Sequence, residues 1–276
     1  MPKLKQAYFR AIKVFKRILP PPLLAMLICA GLAGYLIFIP PINGLADNGD
    51  FYRAMYSNGI YKLLGTHYSY FSYVTQHFGL MQYYNENQSV IFSSQPWFVH
   101  LAVFLNKIFY SKTVFDLRFM GLVNYVLYLG AIYLLTDALT FPSKRLRNYL
   151  IAALVVFVFG DSSFTLYFNS FFAEPQMLSL TMYSFASFIL LARQRYQHRW
   201  PLLLLFASST LVLIASKSQN APLALSFTVV ALGLLFLPHF QAQRLYIFAG
   251  IGVLLVTGVL TYKLIAVSYT HLRAHE

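Results

Sequence analysis

Long apolar runs separated by short polar segments dominate this sequence and limit the folds that it can adopt. A helix of about 20 apolar residues crosses the hydrocarbon core of a membrane, because it satisfies its own backbone hydrogen bonds there. We predict seven such spans, of which the third is short: residues 20–40, 116–139, 148–160, 174–192, 201–216, 221–237 and 244–266. The expected fold is therefore all-α, a polytopic transmembrane helix bundle.

The composition agrees with a membrane protein and excludes several other classes. Hydrophobic residues make up 58% of the chain and charged residues only 11%, whereas roughly 25% of the residues in an average soluble protein are charged. The single cysteine, Cys29, lies within an apolar run, so neither an intrachain disulfide nor a cysteine metal cluster is expected. The net charge of +13 does not indicate nucleic-acid binding, because the basic residues lie between apolar runs and form no patch with interleaved aromatic residues.

The distribution of basic residues predicts the orientation of the bundle. The first apolar run is too long for a signal peptide, so we interpret it as an uncleaved span. With the N-terminus in the cytoplasm, the cytoplasmic side receives 13 of the 21 Lys and Arg residues. The positive-inside rule then predicts a multi-pass protein of the cytoplasmic (inner or plasma) membrane. Most of the eight acidic residues lie on the external side in this orientation.

The first external segment, about residues 41–115, is too long for a passive connection, since loops above roughly 12–15 residues are usually functional or disordered. Its stretch 61–84 is rich in Tyr and Phe, which is typical of helices that lie on membrane headgroups. The stretch SSQPWFVH predicts another short helix, with Ser94 as N-cap and Pro96 in the first turn. We expect two or three juxtamembrane helices in this loop to cover the bundle.

Two aspartates follow the first span directly, in the stretch NGLADNGDFYRAMYSNGIY. Asp50 precedes a short helix that Asn58–Gly59 would end, so an N-cap role explains it as well as a catalytic role does. Asp47 and the following Asn48–Gly49 are similarly explained as a turn. From the residues alone, the structural and the functional interpretation of both aspartates stay open.

The stretch GDFYRAMYSNGIY resembles the first-loop signature of the GT-C glycosyltransferases. These are polytopic enzymes that take sugars from polyprenyl-phosphate donors on the external face of the membrane. In many bacterial members an Asp-Glu pair is followed by an Arg and by a short helix that a small residue and Gly end. Asp50, Arg53 and Asn58–Gly59 fall in matching places, whereas Phe51 replaces the Glu.

The resemblance implies a site and a reaction for this chain. A sugar would pass from a polyprenyl-phosphate donor to a glycan, lipid or protein acceptor of the cell envelope, with inversion at the anomeric carbon. Asp50 would be the general base that deprotonates the acceptor hydroxyl, with Asp47 as the alternative. A second acidic group, Asp161 or Glu174, would bind the acceptor or, together with Asp50, a Mg²⁺ or Mn²⁺ ion.

The two residues of this second acidic group differ in how well their position in a helix explains them. Asp161 is expected at the C-terminal end of a helix, where the helix dipole disfavours a negative charge, and this favours a functional role. Glu174 precedes Pro175 at a helix start, where a carboxylate is favourable in any case.

A donor phosphate needs cationic or polar partners. The stretch ASKSQNAPL places Lys217, Gln219 and Asn220 in a short external turn, although a lysine that extends from a helix end toward water is the commoner explanation. Arg53 and Arg118 are the other candidates, and arginine is the better bidentate phosphate ligand.

A membrane transporter or a flippase for lipid-linked glycans is the alternative function. Such proteins place ionisable groups near the bilayer midplane, often on broken helices. The predicted spans here are almost free of charge, which favours the enzyme. A non-catalytic membrane scaffold is a third alternative.

The final residues, SYTHLRAHE (268–276), fit nothing before them and resemble a non-native tail. We therefore expect one transmembrane domain over residues 1–267. GT-C enzymes usually have more than seven transmembrane helices, so the resemblance implies that this domain is an N-terminal fragment of a longer protein.

Overall fold

The computed structural model describes residues 19–44, 54–63, 75–83, 93–141, 146–237, 240 and 243–273, with side chains up to residue 264 in the last helix. The candidate residues Asp47, Asp50 and Arg53 lie outside this part of the chain. Its helices, in chain order, are α1 (Pro21–Phe38), α2 (Gln95–Phe109), α3 (Arg118–Leu139), α4 (Leu146–Phe159), α5 (Ser162–Thr165), α6 (Glu174–Ala192), α7 (Trp200–Ile214), α8 (Leu223–Leu235) and α9 (Arg244–Arg273).

The seven predicted spans all coincide with helices, and the all-α bundle is confirmed. Among the residues that the structure describes, five segments are long and apolar enough to cross a membrane: α1, α3, α6, the segment Ser218–Leu235 that contains α8, and α9 as far as Leu264. The remaining two, α4 and α7, are apolar but shorter. Helix α9 continues to Arg273, beyond the predicted end of the last span.

Proline defines where several of these helices begin. It occupies one of the first two positions of α1, α2, α6 and α7, and Pro222 directly precedes α8. The amide N–H that proline lacks has no partner within a helix at these positions, so proline fixes the backbone there without losing a hydrogen bond. The apolar runs that follow supply the length of each helix.

The connections between successive spans fall at two opposite ends of the bundle. We call one end the loop face; it is formed by residues 39–44, the described parts of 54–117, and residues 160–173 and 215–222. We call the other end the basic face; it is formed by residues 140–141, 193–199 and 236–243, where described. Helix α3 packs on both α1 and α6, α6 packs on α7, and α9 packs on α7 and α8.

Small residues bring α1 close to its neighbours. Ala25, Cys29, Ala33 and Ile37 recur at every fourth position and are all buried, so they form one face of α1. Small side chains on such a face allow transmembrane helices to approach closely. The Tyr125 hydroxyl of α3 then reaches the carbonyl oxygen of Ala30 on α1 at 3.0 Å, which fixes this contact with a hydrogen bond.

The long segment between α1 and α3 contains a small antiparallel sheet where juxtamembrane helices were expected. Strands β1 (Ile60–Lys62), β2 (His77–Leu80) and β3 (Val114–Asp116) pair in the order β1-β2-β3. The helical interpretation of residues 61–84 is thus wrong for the two strands in this stretch. The physical reason is a cross-strand fit: Tyr61 lies opposite Gly79, and a Cβ at Gly79 would come within 2.2 Å of the Tyr61 ring.

Helix α2 is the juxtamembrane helix that the sequence predicted, and Pro96 lies in its first turn as expected. Ser94 is the N-cap residue as predicted, but its side chain forms no capping hydrogen bond. Its hydroxyl instead donates to the Val212 carbonyl oxygen of α7 at 2.7 Å. The serine therefore attaches α2 to the bundle.

A hydrophobic cluster on the loop face joins the segment between α1 and α3 to residues 160–173. Met55, Ile60, Phe78 and Phe115 from the loop pack there with Phe171. All five side chains are buried to within 1% of full burial. The sheet is thus held on the loop face by apolar contacts and not by its short strands alone.

A contact between α3 and the loop before α6 depends on glycine. A Cβ added to Gly121 would lie 2.2 Å from the Asn169 Oδ1 atom and 2.6 Å from the Ile37 Cγ2 atom. We predict that Gly121→Ala lowers the free energy of unfolding by about 1–3 kcal/mol, the usual cost of overpacking a core, seen as a lower Tm in detergent.

Gly31→Ala is the matched control, because a Cβ at Gly31 on α1 would meet no atom within 4 Å. Alanine favours a helix over glycine by roughly 0.5–1 kcal/mol, so this variant is expected to keep or raise the Tm. Equal Tm values for the two variants would contradict the packing role of Gly121.

Candidate functional site

An ion pair at the loop face joins two of the predicted site residues. Glu174 is the first residue of α6, and Lys217 precedes the short 3₁₀ helix Ser218–Asn220 in an extended conformation. Their Oε1 and Nζ atoms lie 2.5 Å apart, and the side chains are 40% and 37% exposed. The helix start predicted for Glu174 is confirmed. Because both side chains reach water, the pair is accessible to a competing anion.

The two amide residues that follow Lys217, Gln219 and Asn220, are placed differently from one another. Asn220 is buried, and its amide donates to the Ser216 hydroxyl at 2.8 Å and to the Leu213 carbonyl oxygen at 3.3 Å. It therefore closes the end of α7, and this amide nitrogen faces inward. Gln219 is exposed beside it, so of these two only Gln219 presents its side chain to solvent.

Asp161 has a structural role that the sequence did not indicate. It lies two residues beyond the end of α4 and is the N-cap of α5, where its Oδ1 atom accepts a hydrogen bond from the Ser163 backbone N–H at 2.7 Å. This bond holds the pKa of the carboxyl below its ordinary value. The expected conflict with a helix dipole is thus wrong, because the carboxylate caps the helix that follows.

Arg118 is held by an aspartate of the loop-face sheet. The Asp116 carboxylate, at the end of β3, accepts from the Arg118 Nη2 atom at 2.6 Å, from Nε at 3.0 and 3.1 Å, and from the backbone N–H at 2.9 Å. Gln76 also donates to this carboxylate at 3.1 Å, and the His77 Nε2 atom lies 3.6 Å from it. The guanidinium of Arg118 is therefore fixed in position, with its side chain 36% exposed.

The environment of Asp116 keeps this carboxylate charged. Burial by itself would raise the pKa of Asp116, but the hydrogen bonds from Arg118 and Gln76 together hold that pKa below its ordinary value. The backbone N–H of Asp116 in turn donates to the Asn106 Oδ1 atom of α2 at 2.9 Å. Helix α2, the sheet and the start of α3 thus meet at one charged residue.

Helix α2 is bonded to both chain segments that carry the Glu174–Lys217 pair. The Gln95 side-chain amide donates to the carbonyl oxygen of Phe171, three residues before Glu174. The backbone N–H of Ser94 donates to the carbonyl oxygen of Ala215, two residues before Lys217, at 3.0 Å. The start of α2 therefore sets the separation between the start of α6 and the end of α7.

The described residues on both sides of the Asp50 segment are attached to this same region. Before it, the Asn43 carbonyl oxygen accepts from the Asn169 side-chain amide at 2.8 Å. After it, Met55 is buried in the cluster around Phe171, and the Asn58 amide donates to the Ala54 carbonyl oxygen at 2.7 Å.

The helix that precedes Gly59 ends as the sequence predicted. Residues 54–57 are helical, and Gly59 follows with a φ of +72°, a conformation that glycine adopts without strain. The part of the first-loop signature that the structure describes therefore has the expected shape. Asp47, Asp50 and Arg53 themselves lie outside the described residues, and their roles stay predictions.

The described residues do not form the predicted Mg²⁺ or Mn²⁺ site on their own. Among the described residues, no three His, Cys, Asp or Glu side chains are grouped so that they could hold a metal ion. The Asp161 Oδ1 atom caps a helix and Glu174 pairs with Lys217, so neither carboxylate is held ready for Mg²⁺ or Mn²⁺. A requirement for either ion stays a prediction that depends on Asp50.

Sequence reasoning missed Asp116 as the partner of Arg118 and missed a set of buried amides. The signal for the first was present, since the two residues are separated by one position at the start of a predicted span. The signal for the second was the presence of polar amides in otherwise apolar segments, which need buried partners. These amides, all on the loop-face side, are Gln95, Asn106, Asn124, Asn169 and Gln176.

Removing the Asp116 charge should destabilise the loop face. Asp116→Asn leaves the Arg118 guanidinium without its carboxylate, and losing such a charged hydrogen bond costs about 1–3 kcal/mol, measured as a lower Tm in detergent. Folding lowers the pKa of the Asp116 carboxyl, so the charged carboxylate stabilises the folded protein at every pH above the unfolded pKa, near 3.9. This stabilisation is lost as the pH falls through the folded pKa. The Tm difference should therefore be constant between about pH 5 and 8 and shrink only below about pH 4.

Asp161→Asn is the control for this experiment. Asn caps helices about as well as Asp does, and Asp161 is exposed, so its Tm is expected to stay at the wild-type value. A Tm difference for Asp116→Asn that already falls between pH 8 and 6 would contradict the depressed pKa.

The comparisons with known proteins identify one family. A family model described as the YfdI N-terminal transmembrane domain matches residues 7–273, almost the whole chain. No curated protein and no solved structure matches the chain.

Proposed function

Because the chain belongs to the family of the YfdI N-terminal transmembrane domain, we propose that this multi-pass membrane protein is a glycosyltransferase of the GT-C type. It transfers a sugar from a polyprenyl-phosphate donor to an acceptor of the cell envelope. The reaction takes place at the loop face, on the external side of the cytoplasmic membrane. Family membership supports the transmembrane part of the proposal, and the first-loop signature around Asp50 supports the enzymatic part.

The placement of ionisable side chains is the observation that carries the proposal. Within the described spans, charged residues stand at or near the ends of the span, as Arg118 and Asp137 do on α3 and Glu174 does on α6. A transporter or flippase needs such groups near the bilayer midplane. An enzyme that works at one membrane surface needs them at one face, and the loop face has Glu174, Lys217 and a fixed Arg118.

Lys217 is the group best placed for the donor phosphate. A polyprenyl-phosphate donor carries its negative charge at the membrane surface, and its phosphate leaves more readily when a cation stabilises the charge that develops on it. In the structure the Lys217 ammonium is held by Glu174 and is accessible to solvent. Exposed ion pairs contribute roughly 0–1 kcal/mol, so a donor phosphate can replace Glu174 at little cost.

The acceptor hydroxyl needs a base on the same face. A neutral hydroxyl is a poor nucleophile, and a carboxylate within hydrogen-bond reach takes its proton as the new C–O bond forms. Asp50 is the proposed base and Asp47 the alternative. The chain on either side of these residues is attached at Asn43 and Met55 to the loop that leads to Glu174, which supports a base close to Lys217.

The exchange of Asp50 for Asn tests the proposal. We expect Asp50→Asn to lower sugar transfer by about 10²–10⁴-fold, the usual contribution of a general base, while the protein inserts into the membrane in normal amounts. Transfer is measured as label incorporated from a radiolabelled polyprenyl-phosphate sugar into the envelope glycans of membranes that contain the protein.

Asp47→Asn is the matched control, since it removes the same charge three positions away. It should retain most of the transfer activity if Asp50 is the base. Unchanged glycan product in Asp50→Asn would remove Asp50 from the mechanism, and loss of product only in Asp47→Asn would transfer the role to Asp47.

A further inference from the structure

The basic face holds a cluster of arginines around the C-terminal end of α3. Arg195 forms an ion pair with Asp137, with 2.6 Å between the Nη2 and Oδ1 atoms, and Tyr196 donates to the other carboxylate oxygen at 2.8 Å. The Arg193 Nη1 atom donates to the Ala138 carbonyl oxygen at 2.6 Å. These contacts cap the last turn of α3, where a cation is favourable.

Arg147 and Arg193 both lie against one phenyl ring. The guanidinium carbon of Arg147 is 4.0 Å from the centroid of the Phe141 ring, and that of Arg193 is 4.9 Å from it. The two guanidinium groups are consequently within about 9 Å of each other, close enough to repel one another appreciably. An aromatic ring attracts each cation but does not neutralise either.

The sequence offers no carboxylate to balance these two charges. No Asp or Glu occurs between Asp137 and Asp161, or between Glu174 and the C-terminal Glu276. Asp137, the acidic residue of this cluster, already binds Arg195 and Tyr196. Arg193 caps α3, whereas among the described residues the Arg147 guanidinium contacts the Phe141 ring.

An apolar strip leads from Arg147 into the membrane. Leu146, Leu150, Leu154 and Phe157 follow one another along α4 at helical spacing and are between 58% and 82% exposed. Such a strip faces lipid acyl chains in a membrane-spanning helix. A molecule with a phosphate at one end and acyl chains at the other would fit the arginine pair and the strip together.

From this geometry we propose that Arg147 and Arg193 form a binding site for the phosphate of an anionic phospholipid at the basic face. The headgroup phosphate accepts hydrogen bonds from both guanidinium groups beside the Phe141 ring that they contact. One acyl chain lies along the exposed leucines of α4. A free phosphate would gain only the first of these contacts, so the site takes a lipid.

Lipid binding to the purified protein tests this site. The whole chain is purified in detergent and titrated with phosphatidylglycerol, and bound lipid is counted by native mass spectrometry. We expect wild-type protein to retain phosphatidylglycerol, and Arg147→Gln to bind it about fivefold more weakly, the effect of one arginine at an anionic lipid surface. Arg147→Lys keeps the charge and should lose less.

The controls separate this site from general attraction to a basic surface. Arg244→Gln removes an exposed arginine of the same face at the start of α9 and should bind phosphatidylglycerol as the wild type does. Phosphatidylcholine with the same acyl chains, and free glycerol phosphate, should both compete poorly. Equal losses in the Arg147 and Arg244 variants, or unchanged binding in Arg147→Gln, would overturn the proposed site, and equal competition by glycerol phosphate would overturn its assignment to a lipid.

Discussion

A backbone carbonyl in apolar surroundings needs a hydrogen-bond donor, and this requirement organises the loop face. The end of α1 and the loop before α6 leave carbonyl groups there without partners inside a helix, and lipid offers none. Buried amides supply them: Asn169 donates to Ile37 at the end of α1, Asn124 donates to Phe168, and Gln95 donates to Phe171. These bonds cross between elements that are far apart in the sequence. They join α1, α2, α3 and the loop before α6 into one unit at the membrane surface.

Charged residues have different roles at the two ends of the bundle. At the loop face the rigid amide network carries an ion pair, Glu174 with Lys217, that is open to water and cheap to exchange. At the basic face the arginines cap α3 and exceed the available carboxylates, which suits an anionic membrane surface. The same chain thus presents an exchangeable cation on one side and surplus cations on the other. A surface enzyme and an inner-leaflet lipid site are compatible with this division.

The sequence predicted what depends on local pattern. Hydropathy located the helices of all seven predicted spans. Proline located several helix starts, and Asn58–Gly59 located a helix end. Each of these signals acts within a few residues. The sequence did not predict the sheet, whose strands are three or four residues long and pair Ile60 with Leu80 and His77 with Asp116, since such pairing depends on distant partners. Asp161 was misjudged for a related reason: the four-residue helix that it caps was too short to recognise. The pairing of Lys217 with Glu174 is likewise a tertiary contact, between residues 43 positions apart.

Donor binding at the loop face is the central claim, and a photoreactive polyprenyl-phosphate sugar tests it without knowledge of the acceptor. Membranes with wild-type protein are labelled, and the modified peptides are mapped. We predict saturable labelling within residues 160–174 and 215–222 that unreactive polyprenyl phosphate competes away. Lys217→Gln should reduce this labelling about tenfold, since the loss of a charged hydrogen bond weakens binding by about that factor or more. Any of three results would contradict the account: excess polyprenyl phosphate does not reduce the labelling, the label maps to the basic face, or Lys217→Gln leaves the labelling unchanged.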